Sequence, residues 1–152
     1  MTRLADALAR KILVLDGAMG TMIQAAGLGA ADFGGERYEG CNEHLNVTRP
    51  DVIRDIHAAY LDAGADVVST NTFGCAPYVL AEYGLADRAH ALSLAAARLA
   101  REAAGDRFVV GAMGPSTRCC WRPRRTPSIS RRRPSVCAAR RARRTGPTSR
   151  SW

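Results

Sequence analysis

Three groups of residues in this 152-residue chain have the types and spacing to hold a small charged ligand. Asp16-Gly17-Ala18-Met19-Gly20-Thr21 follows a run of four aliphatics, Ile12 to Leu15. Thr70-Asn71-Thr72 follows Asp66-Val67-Val68-Ser69, and Gly114-Pro115-Ser116 follows Phe108-Val109-Val110-Gly111-Ala112-Met113. A carboxylate such as Asp16 suits a substrate cation, and the open amides of a Gly-rich turn suit an anion. A free amino acid carries both charges. The plainer reading of Asp16 is a turn cap. Gly17 and Gly20 imitate part of a G-x-G-x-x-G dinucleotide loop, but one Gly is missing, an acid there repels a pyrophosphate, and no Walker lysine follows.

Metal chemistry is less well supplied. Cys41 and His44 are spaced like a ligand pair and Cys75 follows the second apolar run, yet no second pair stands at zinc spacing, which favours free thiols and a surface imidazole. His57 and His90 fall inside helical stretches and read as face residues. Cys119-Cys120 is flanked by Arg118, Trp121 and Arg122 and would need further ligands in fixed geometry. Five cysteines, an odd number, give no disulfide framework for a cytosol-like chain.

The elements that position these groups follow from apolar periodicity. Leu4, Ala5, Leu8 and Ala9 make a short amphipathic helix. Ile12 to Leu15, closed by Asp16-Gly17, reads as a strand buried on both faces. Thr48-Arg49-Pro50-Asp51 resembles a capped helix start, after which Val52, Ile53, Ile56 and Tyr60 recur at helical spacing until Gly64. Asp66 to Phe73 is a second strand, apolar at its start and polar at its end. Tyr78 to Tyr83 gives a helical turn or two, interrupted by Gly84. Asp87 to Ala104 continues with Ala91, Leu92, Ala95, Leu99 and Ala103 along one stripe, and Phe108 to Pro115 is a third strand with its exit loop. Strands alternating with helical crossovers imply parallel, right-handed βαβ units. All three polar groups then sit at carboxyl ends of strands, where parallel α/β architectures bind ligands. Periodicity does not separate an open sheet from a closed barrel.

Charge divides the chain. Positions before 118 hold ten basic and fourteen acidic residues, a balance of −4, whereas positions 118 to 152 hold twelve arginines and no acid. That tail offers only Ile129 and Val136 as aliphatics larger than Ala, too few to build a core, which predicts disorder. Residues 1–118 and 119–152 are therefore expected to be a folded part and an Arg/Pro/Ser-rich tail. Two accounts of the tail compete: a genuine phosphate-binding segment, making a small basic nucleic-acid-binding protein, or a frame-shifted translation of a GC-rich gene, the reading favoured by the abrupt change at Arg118. The start carries Asp6 and does not read as a secretory signal, and no apolar run approaches the roughly 20 residues of a membrane span. A cytoplasmic location is the expectation.

The order of motifs also carries a resemblance. Ile12 to Gln24, Gly35-Glu36-Arg37-Tyr38, Leu45 to Asp51, Ala63 to Gly74 and Gly111 to Pro115 are similar to successive motifs of the homocysteine S-methyltransferase family, in order and over roughly residues 1 to 118. The resemblance implies a partial (β/α)8 TIM barrel, its first three βα units, that binds homocysteine at its carboxyl face and presents the thiolate to zinc for methylation, giving methionine. Carried over by motif, Asp16 and Gly17 contact the amino-acid part of homocysteine, Thr70 bonds its polar end, and Asn71 and Thr72 shape the mouth. It implies zinc held by three later cysteines and a substrate-binding glutamate after a fourth strand, none with a counterpart here, so the chain alone is expected to be inactive, with no catalytic or metal-ligating residue of its own. Cobalamin and methyltetrahydrofolate would act through other modules of the parental enzyme.

Overall fold

The computed structural model describes residues 4–114. The expectations for the tail, Cys119-Cys120, and Pro115 and Ser116 of the third polar group lie outside these residues. After a first helix, α1 (Leu4–Leu8), an extended segment over 12–16 leads into α2 (Met19–Ala25). Further on, α3 (Leu45–Thr48) and α4 (Pro50–Asp62) precede β1 (Val67–Ser69), and α5 (Pro77–Leu80) and α6 (Ala89–Ala104) precede β2 (Phe108–Val110).

The extended segment and the two strands form one parallel array with β1 in the middle. Leu15 bridges Val67 in parallel, and β1 pairs β2 in the register Val67–Phe108, Val68–Val109, Ser69–Val110. Each crossover contains a helix, as parallel pairing of consecutive strands requires.

α4 starts at Pro50, whose missing N–H costs nothing at a first turn, with Asp51 beside the positive end of the dipole. It stops where Ala65 N–H reaches back to the Tyr60 carbonyl (3.0 Å) around Gly64, which takes a φ of +103° that disfavours any other residue. Its inner face buries Ile53, Ile56, His57 and Leu61. One core joins Ile53 and Ile56 to Ile23, Phe33, Leu45 and Leu99, and a second, beneath the sheet, joins Leu61 and Val68 to Ala100 and Ala104. Each large aliphatic fully buried here stabilises by about 1.5–3 kcal/mol.

Several expectations need correction. The segment Ile12 to Leu15 is not buried on both faces: Ile12 is 91% exposed, Val14 56% and Leu15 55%. Among the described residues it is paired on one edge only, and no layer covers it. The buried stripe of α6 carries Ala89, Leu92, Ala96, Leu99, Ala100 and Ala104, while Ala91 is exposed and Ala95 and Ala103 are half-buried. Leu92 and Leu99 fix the inward face, and alanine is too small to compete with them. The start of α4 has no side-chain cap; the Thr48 hydroxyl instead donates to the His44 carbonyl (3.3 Å). The second strand's ladder is shorter than Asp66 to Phe73, because its polar end turns from the sheet after Thr70 N–H bonds the Val110 carbonyl.

Candidate functional site

Asp16 ends the extended segment, its N–H donating to the Val67 carbonyl (2.9 Å). Its carboxylate, only 9% exposed, accepts the Ser69 N–H at 2.9 Å on both oxygens and the Ser69 hydroxyl at 2.8 Å. It therefore bolts the end of one strand to the end of the next. Immediately after it, the N–H groups of Gly17 and Ala18 donate to nothing among the described residues. Ala18 takes a left-handed φ of +47°, the one such non-glycine among the described residues, a conformation costing roughly 1–2 kcal/mol for an L residue with a Cβ.

The end of β1 is fixed by a chain of hydroxyls whose protons can be counted. Thr72 donates its hydroxyl hydrogen to the Ala112 carbonyl (2.7 Å). The 2.6 Å contact between the Thr70 and Thr72 hydroxyls must then use the hydrogen of Thr70. Thr70 also accepts the Ala112 N–H (3.1 Å). Among the described residues its hydroxyl retains one lone pair and no proton, so it would meet a ligand as an acceptor.

A second clamp fixes Asn71. Its side-chain amide donates to the Asn42 carbonyl (2.8 Å) and to Asn46 Oδ1 (3.1 Å), while Asn46 Nδ2 donates to the Asn71 carbonyl (2.9 Å). Next to it, Glu43 Oε1 accepts the Gly74 N–H at 2.7 Å. A side chain at position 74 would collide with that carboxylate, its Cβ falling 2.7 Å from Oε1.

These clamps enclose a cavity of about 310 Å³ lined by Gly17 to Gly20, Asn42 and Glu43, Ser69 to Asn71, Phe73 and Ala112. Of the expected site residues, Gly17, Thr70 and Asn71 line it. Asp16 lies behind it, held by Ser69. Thr72 supports Thr70 and lines a neighbouring cavity of about 440 Å³ with Cys75, Tyr78 and Met113. Asn42, Glu43 and Asn46 have no spacing that singles them out in the sequence, and they meet Asn71 and Gly74 only in the fold.

Among the described residues no three His, Cys, Asp or Glu side chains converge on a metal position. Cys41 and Cys75 are buried, and burial pushes both thiols up, away from the thiolate that binds metal. His44 is not the surface imidazole expected: it is buried, its Nδ1 lies 2.8 Å from the Phe33 carbonyl, and its ring packs against Tyr38. His57 is wholly buried with both ring nitrogens unpartnered among the described residues, and burial lowers its pKa against the opposing charge of Asp16. His90 is exposed.

Parallel strands with helix-containing crossovers and a cavity at their carboxyl ends define an α/β protein. The model of the family described as homocysteine S-methyltransferase matches residues 13–138, reaching past the change of composition at 118, and the chain belongs to that family. It is 49% identical over 124 residues to the methionine synthase of Mycobacterium tuberculosis and 48% to that of Mycobacterium leprae, each covering 77% of this chain and 10% of the relative. The homocysteine methyltransferase MmuM from Escherichia coli, solved in a metallated form, matches with a TM-score of 0.60 and 31% identity, over 74% of this chain and 41% of that one. Its oxidised form matches with a TM-score of 0.60 and 32% identity. The chain thus spans about a tenth of its curated relatives' length and about two fifths of that solved relative's.

Proposed function

We propose that this chain forms the homocysteine-binding part of a homocysteine S-methyltransferase, a partial (β/α)8 barrel over residues 1–118 followed by an Arg/Pro/Ser-rich tail over 119–152. The observation that carries this reading is the meeting of Gly17, Thr70 and Asn71 around one cavity at the carboxyl ends of parallel strands. The unpartnered amides of Gly17 and Ala18 suit the substrate carboxylate. Asp16 acts one layer behind by fixing Ser69, and Thr72 by fixing Thr70. The site belongs to a cytoplasmic enzyme, and among the described residues no helix is long and apolar enough to cross a membrane.

The family zinc does not fit the described residues, whose buried thiols and scattered carboxylates form no ligand set. No step through zinc is therefore assigned to them. Cobalamin and methyltetrahydrofolate, where the parental enzyme uses them, would act through other modules. The chain alone binds homocysteine without methylating it. Calorimetric titration with L-homocysteine tests the binding, and a zinc determination with a methylation assay tests the inactivity: stoichiometric zinc with turnover overturns it. The alternative, non-specific nucleic-acid binding by the arginines of 118–152, draws no support from the relatives, and deletion of 119–152 is expected to leave homocysteine binding unchanged.

A further inference from the structure

The geometry points to Glu43 as the residue that selects the ammonium group of an amino-acid ligand in this cavity. The inference rests on the reading that the cavity receives the amino-acid end of homocysteine, and adds to it the group that distinguishes an amino acid from a plain carboxylic acid.

Four observations converge. Among the described residues Glu43 is the one ionisable side chain in the cavity lining, so the formal charge they bring there is negative. Asp16, the carboxylate that the sequence suggested for this task, spends both oxygens on Ser69. Glu43 is held in place, since its Oε1 takes the Gly74 N–H at 2.7 Å while its Oε2 has no partner among the described residues. Finally, Thr70 lines the same cavity with its proton committed to Thr72 and, among the described residues, a lone pair free, which welcomes N–H donors and not a carboxylate. A fixed carboxylate oxygen and a hydroxyl acceptor make a receptor for an ammonium ion, and the free amides of Gly17 and Ala18 leave a place for the opposite charge. Gly74 belongs to the same device: any larger residue there would push the Glu43 carboxylate from its seat.

The test compares two probes on the full chain by calorimetry: L-homocysteine, and 4-mercaptobutanoate, which lacks only the ammonium group. On the unaltered protein, L-homocysteine should bind about tenfold more tightly, a typical size for a charge-assisted hydrogen bond. Glu43→Gln keeps an oxygen for the Gly74 N–H while removing the charge. It should weaken L-homocysteine about tenfold and leave 4-mercaptobutanoate within about twofold. Equal affinity of the two probes on the unaltered protein overturns the inference without need of any variant. Unchanged L-homocysteine binding in Glu43→Gln, or equal weakening of both probes, also overturns it by making Glu43 structural, while the homocysteine reading survives. If neither probe binds the unaltered protein, the homocysteine reading itself falls, and the inference with it.

Discussion

Asp16 and His57 show how far a side chain's role depends on partners distant in the chain. Asp16 satisfies both a backbone N–H and a hydroxyl of Ser69, 53 positions away, so Asp16→Ala strands two polar groups that are largely shielded from water. That substitution should lower stability by about 2–3 kcal/mol, against about 1 kcal/mol for Ser69→Ala, which spares the backbone bond. Urea denaturation of the two variants checks the order. His57 presents the opposite case, a wholly buried imidazole without partners among the described residues. Its desolvation should make His57→Leu neutral or stabilising by about 1 kcal/mol. The pH dependence has a definite sign. The folded chain holds His57 below its ordinary pKa of 6.5, so below that value the unfolded chain takes up a proton that the folded chain refuses. Stability should fall as pH drops from about 6.5, and His57→Leu should remove that slope. Denaturation midpoints at about pH 7.5 and 5.5, chosen to flank the titration of an ordinary histidine, decide this; an unchanged slope in the variant refutes it.

Among the elements, the segments with strong local signals were legible. Pro50 with Asp51 and Gly64 bracket α4, and Gly84 punctuates the second crossover at positive φ. The parallel order follows from helix-containing crossovers, which puts Gly17, Thr70 and Asn71 at strand ends on the same side of the sheet. Illegible were features set by contacts between elements. No local pattern tells that Asn42 and Asn46, from the loop and helix before α4, close on Asn71 from beyond β1. Nor does the aliphatic run at 12–15 reveal whether a layer covers it. The Asn clamp makes a sharp prediction, since Asn46 and Asn71 are both buried and exchange two bonds. Asn46→Ala should cost about 2–3 kcal/mol and weaken L-homocysteine, because it frees both the end of β1 and the Glu43 loop. Asn46→Asp keeps an acceptor for Asn71 Nδ2 but presents an acid to the Asn71 carbonyl, so it should not rescue binding. Full rescue by Asp would show that only the Oδ1 contact matters.

For the described molecule as a whole, the decisive feature is a parallel sheet without the cover such sheets normally have. Complete parallel sheets are layered on both faces, yet Ile12 and Val14, which share a face by their period of two, are largely exposed, and Leu15 on the opposite face is half exposed. Phe108, Val109 and Val110 are only partly buried, and among the described residues neither β2 nor the segment 12–16 has a partner on its outer edge. Open edges beside apolar surface favour association with other chains. Sedimentation velocity on the chain at micromolar concentration should therefore show species larger than the monomer, growing with concentration. Ile12→Lys should shift the distribution toward monomer while leaving the melting temperature almost unchanged, since a side chain 91% exposed contributes little to the fold. A chain that stays monomeric throughout that range would mean that this surface is covered, and the cavity would then have to be re-examined with the covering segment in place. If Ile12→Lys instead lowers the melting temperature by several degrees, Ile12 is packed in solution, and the sheet is more complete than three paired segments can make it.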